Sequence, residues 1–126
     1  MLTIDANVFV SAASPNELSH TNSDAFLHRA KALRRNIYCP SLLLPEVAAA
    51  FSRPTGNTEA ARITTDSVAT FPDIGFVPLT YQSAVAAVQI AIRYRLRGAD
   101  AVYIAVVPDN DAHQLAFGSH LLSEIC

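Results

Sequence analysis

The sequence predicts an α/β fold, a three-layer α/β/α sandwich around a mostly parallel central sheet. Short apolar runs at residues 1–5, 36–39, 74–79 and 114–117 alternate along the chain with longer segments of helical character. Strands that alternate with helices build parallel sheets, because each parallel pairing needs a crossover. The 126 residues suit one domain spanning 1–126, and 51% apolar against 16% charged residues is enough to form a core and too little charge for a disordered chain.

The elements follow from local chemistry. Residues 1–5, MLTID, read as a strand, and Asp5 to Ala13 as the start of a helix. Ser14–Asn22 is polar, contains Pro15 and reads as a loop, after which Asn22 or Ser23 is placed to cap a helix near 23–35. Phe26, Ala30 and Leu33 fall on one face of that helix. Asn36–Cys39 is a second strand, and Pro40 and Ser41 open a helix to Ser52 that holds Pro45 in its first turn. Pro54 is expected to stop it, with Gly56 and Asn57 marking a turn before a helix over Thr58–Phe71. Ile74–Leu79 is a third strand. Thr80 caps a helix to Leu96 whose face carries Val85, Val88 and Ile92. A short helix over Ala99–Val107, a loop at Pro108–Asp111, a last strand at Gln114–Phe117 and a stub of turn or helix complete the chain.

Several function classes are disfavoured. No apolar run approaches the roughly 20 residues of a membrane span. MLTID lacks the basic and apolar regions of a signal peptide, so a cytoplasmic protein is expected. Cys39 and Cys126 form neither a disulfide framework nor a zinc site, and Cys39 reads as a core residue. His20, His28, His113 and His120 have no metal spacing, and four scattered glycines argue against a phosphate-cradling loop. Net charge is −2, yet all nine Lys and Arg lie between Arg29 and Arg97. Arg93, Arg95 and Arg97 form a cluster suited to local phosphate contacts, although such clusters are more often solvated helix faces.

The acids carry the chemistry. Asp5 follows Met-Leu-Thr-Ile, Glu46 sits in SLLLPEVAAA and Asp100 in GADAVYIAVV. A buried carboxylate without a partner costs several kcal/mol or stays protonated. Three such acids in one small domain are most economically explained by convergence around a divalent cation. Oxygen ligands suit Mg²⁺ or Mn²⁺, which serve phosphate chemistry. Taken singly, Asp5 and Asp100 also have a reading as helix caps, and Glu46 as an exposed acid near a helix start.

IDANVFV, LLLPEVAAAF, YRLRGADAVYIAVV and QLAFGSHLL, in this order along nearly the whole chain, resemble the motifs of the PIN-domain family, in particular the VapC-type toxin ribonucleases of toxin–antitoxin modules. The resemblance implies a PIN fold and Mg²⁺- or Mn²⁺-dependent RNA cleavage by metal-activated water. It further implies neutralisation by a small antitoxin and often a homodimer. It makes Asp5, Glu46 and Asp100 metal-site acids, with Asn7 holding the site through hydrogen bonds. The pattern departs at its end. Ser119 stands where the family's last motif normally supplies another Asp, and the tail to Cys126 looks truncated or altered. The alternative is therefore a degenerate PIN module that binds RNA or antitoxin and cleaves weakly. Asp109 or Asp111 is a weak substitute for the lost acid. A small phosphatase-like hydrolase with Asp5 as nucleophile is disfavoured, because no DxD pair surrounds Asp5.

Overall fold

The computed structural model describes residues 2–106, 114–117 and 120–123, with the last two stretches as strands. Five strands form one sheet in the order β3-β2-β1-β4-β5: β1 (Leu2–Ile4), β2 (Ile37–Pro40), β3 (Ile74–Val77), β4 (Gln114–Phe117) and β5 (His120–Ser123). The first four are parallel, and β5 pairs antiparallel with β4. Between them run α1 (Ala6–Ala12), α2 (His20–Ala32), α3 (Leu43–Thr55), α4 (Thr58–Ala69), α5 (Tyr81–Tyr94) and α6 (Gly98–Ala105).

The strand order positions the site. The chain runs from β1 outward through β2 to β3, then returns across the sheet to β4 on the other side of β1. Right-handed crossovers in opposite directions put their helices on opposite faces, and a crevice opens beyond the carboxyl end of the strand where direction reverses. That strand is β1, and Asp5 is the residue after it. The described core falls into two clusters. One is built around Ile4, Phe9, Leu27, Ile37, Cys39, Leu43, Val47 and Val68, the other around Ala87, Ala101 and Val102.

β1 has all three residues buried, as a central parallel strand requires. Thr3 at its centre is 1% exposed and donates Oγ1–H to the Tyr38 carbonyl at 2.7 Å, which satisfies its hydroxyl. Cys39 is fully buried, as expected, and its thiol donates to the Ile4 carbonyl at 3.2 Å.

Five local expectations are corrected. α2 starts at His20, not 23, so Ser23 lies inside the helix on its buried side, and Leu33 is 58% exposed instead of facing the core. The inward row is Ser23, Leu27 and Ala30. Pro40 belongs to β2, and α3 begins at Leu43. Pro54 does not stop α3. It sits in the last turn and costs α3 the one hydrogen bond its N–H would have made to the Ala50 carbonyl, and the helix ends at Gly56, whose φ of 65° is the left-handed cap that glycine adopts without strain. The stub after β4 is a strand, because an antiparallel partner can be reached by a tight connection.

The largest correction is on α5. Val85, Val88 and Ile92 share a face as expected, but it is not the packed one. They are 46%, 52% and 70% exposed, and Tyr81 continues the row at 86%. The inward residue of this helix is the small Ala87, against Ala101 and Val102. Periodicity located the stripe and could not tell which way it turned. Among the described residues, no helix is long and apolar enough to cross a membrane.

Candidate active site

Asp5 is 5% exposed. It is the N-cap of α1, and its Oδ1 accepts the backbone N–H of Asn7 at 3.0 Å. Capping is thus one of its tasks, and it accounts for the acid directly after an apolar strand. Asn7 itself is exposed, and its backbone supplies this hydrogen bond.

Glu46 lies in the first turn of α3, where the helix dipole favours an anion, and it is half-buried. Its Oε1 accepts the phenol O–H of Tyr103 at 2.8 Å. Tyr103 comes from α6 and is 1% exposed, so a fixed ring from a distant helix aims the Glu46 carboxylate. Burial, followed by the nearby Glu46 charge, pushes the Tyr103 pKa well above the usual phenol range, so its hydroxyl remains a donor.

Asp100 stands in the first turn of α6. It does not cap the helix, since Arg97 occupies that position. Arg97 Nε and Nη2 instead donate to the two Asp100 oxygens at 3.1 and 3.4 Å. The Arg97 side chain is 77% exposed and Asp100 22%, so this fork is a solvent-screened pair. The hydrogen bond to Asp100, and the acids around it, raise the Arg97 pKa further.

One cavity of about 150 Å³ collects these groups. Asp5, Asn7, Glu46, Arg97, Asp100 and Tyr103 line it, with Ala6 and Ala99. Acids from the end of β1, from α3 and from α6 therefore meet in one pocket, at the crevice the strand order creates. A PIN-domain family model matches residues 2–123. The chain belongs to the PIN-domain family. Among solved structures, the fold of this PIN domain is similar to the crystal structure of Mycobacterium tuberculosis VapC20, described as a sarcin–ricin loop cleaving toxin. The TM-score is 0.68 at 14% identity, over 84% of this chain and 80% of that one. No curated protein matches it in sequence.

The donor set of the PIN pocket suits a hard divalent cation in kind: three carboxylates, with no thiol or imidazole in the lining. Among the described residues, no three Asp, Glu, His or Cys side chains stand close enough to ligate one ion together. Mg²⁺ tolerates this, because it keeps several waters and commonly takes only one or two carboxylates directly. The lining thus suits such an ion in kind, without forming a ready three-ligand set among the described residues.

Of the three arginines singled out in the sequence, only Arg97 lines the pocket. Arg93 lies 5.4 Å over the Tyr94 ring, and Arg95 ends α5 with a positive φ of 55°. Ser119, Asp109, Asp111 and Cys126 lie outside the described residues. Sequence reading missed the support that Tyr103 gives Glu46. A tyrosine inside the apolar run ADAVYIAVV was the available signal, since a buried phenol needs an acceptor.

Proposed function

We propose that this PIN domain is a Mg²⁺- or Mn²⁺-dependent endoribonuclease that acts as the toxin of a type II toxin–antitoxin system in the cytoplasm. The observation that carries this reading is the convergence of Asp5, Glu46 and Asp100 in one cavity beyond the end of β1. Asp5, Glu46 and Asp100 would hold the ion. When bound, it supplies positive charge for the phosphate oxygens and lowers the pKa of a coordinated water. Tyr103 keeps Glu46 aimed, the α1 cap fixes the rotamer of Asp5, and Asn7 lines the mouth. Arg97, exposed at the rim, is suited to meet an RNA phosphate once it turns from Asp100, while Arg93 and Arg95 extend the positive charge outward along the chain.

The test is titration of Mg²⁺ and Mn²⁺ against the wild type, Asp5→Asn and Asp100→Asn, with single-stranded and structured RNA as substrates and calorimetry of metal binding in parallel. Cleavage should need the ion and fall at least about 100-fold in each variant. Full-rate cleavage by either variant would refute the site assignment.

The partners follow from the same reading: RNA, a small antitoxin and a second copy of the chain. The exposed row Tyr81, Val85, Val88 and Ile92 on α5 is the apolar surface that a homodimer would cover. A monomeric mass in solution would end that assignment.

A second reading, a PIN module that binds RNA or antitoxin with weak cleavage, is favoured by the spacing of the carboxylates and by Ser119 in the place of a fourth acid. It predicts slow wild-type turnover and a gain on Ser119→Asp. A fast wild type that gains nothing argues against it.

A further inference from the structure

A second, larger groove of about 580 Å³ opens beside the acid pocket, lined by Glu46, Ala49, Ala50, Arg53 and Pro54. Glu46 lines both. Residues 46, 49, 50 and 53 are spaced i, i+3, i+4 and i+7, so they form one face of α3. Among the described residues, Ala49 and Ala50 are the small side chains that line the groove between the carboxylate and the guanidinium. Seven residues of helix put Arg53 about 10 Å along the axis from Glu46.

Arg53 is exposed and has no ion-pair partner among the described residues. Arg29, Arg62, Arg93 and Arg95 also make no ion pair among the described residues, and what sets Arg53 apart is its place in the groove. Arg34 is tied to Asp73 at 3.1 Å and Arg97 to Asp100 at 3.1 Å. The acid pocket repels polyanions, so a strand that enters it needs cationic contacts to either side of the scissile bond. Arg53 offers a planar, permanently charged fork for a phosphodiester at the far end of a groove that shares Glu46 with the acid pocket.

We infer that the α3 groove is the track for the RNA strand flanking the scissile phosphate, and that Arg53 binds a phosphate neighbouring it. This rests on the ribonuclease reading above and adds the path of the substrate. The floor of small residues admits backbone and sugar without selecting bases, so the contact supplies affinity and register and no sequence preference.

The experiment compares wild type, Arg53→Gln and Arg53→Lys. Cleavage of a single-stranded oligoribonucleotide is followed in Mn²⁺, and binding of the same strand by fluorescence anisotropy with EDTA present so that none is cut. Arg53→Gln should raise KM roughly 5- to 10-fold with kcat unchanged. The slope of log affinity against log salt should shrink by about 0.7, the loss of one phosphate contact on a single strand. Arg53→Lys should restore most of both. A dinucleotide substrate, too short to reach Arg53, should show no KM difference. Unchanged kcat and an unchanged melting temperature exclude misfolding of the variant. If wild type cleaves and Arg53→Gln keeps its KM and salt slope, the track is wrong and the ribonuclease reading stands. If the wild type fails to cleave any RNA, both fall together.

Discussion

Replacing Tyr103 by Phe removes one oxygen and leaves the ring. Tyr103 is 1% exposed, so the ring is held by packing and should not move. The substitution deletes the 2.8 Å hydrogen bond to Glu46. Such a bond to a charged group contributes about 1.5–3 kcal/mol. Glu46 is half-buried and can recover water, so the loss of stability belongs at the lower end, about 1.5 kcal/mol, or a fall of roughly 4–8 °C in melting temperature. The larger effect falls on the site. An unsupported Glu46 samples several rotamers, and loss of a partner that orients a ligand typically costs 10- to 100-fold in metal affinity or activity. We expect Mn²⁺ affinity, measured by calorimetry, to drop about 10-fold, and cleavage to drop with it. A double-mutant cycle with Glu46→Gln should give strong coupling. Because the Tyr103 pKa is raised by burial and by Glu46, no alkaline limb of the pH–rate profile should come from this phenol below about pH 10. A Tyr103→Phe protein with wild-type metal affinity and turnover, whatever its melting temperature, would refute the positioning role.

Two further outcomes are expected. Asp5→Asn keeps an N-cap acceptor and should leave stability within about 0.5 kcal/mol, whereas Asp5→Ala also loses the Asn7 hydrogen bond and should cost about 1 kcal/mol more; equal denaturation midpoints for the two would remove the capping role. Burial pushes the Cys39 thiol from 9.0 up to about 12. The unfolded chain releases this proton near 9.0 and the folded chain holds it to about 12, so stability falls as pH rises through that interval. By pH 10.5 the wild type should have lost about 2 kcal/mol more than Cys39→Ala has, relative to pH 8, in urea titrations; parallel losses in the two proteins would show that the thiol is not desolvated.

The α/β class, the alternation of strands and helices, the buried cysteine and the three acids in apolar surroundings were all legible in the residues alone. These are local facts: period, propensity and the cost of burying charge are written in neighbouring residues. The residues alone did not determine which face of α5 turns inward. The apolar row Val85, Val88 and Ile92 is a strong local pattern, and tertiary packing chose the face of Ala87 instead, where a small residue lets α5 sit close to α6. Nor did local signals reveal that Pro54 is tolerated in a last turn, or that Ser23 lies within α2. Only the tertiary structure brought Tyr103 onto Glu46 and set the Arg53 groove beside the acid pocket. Side chains on different elements meet according to strand order and helix orientation, and no window of neighbouring residues records either one.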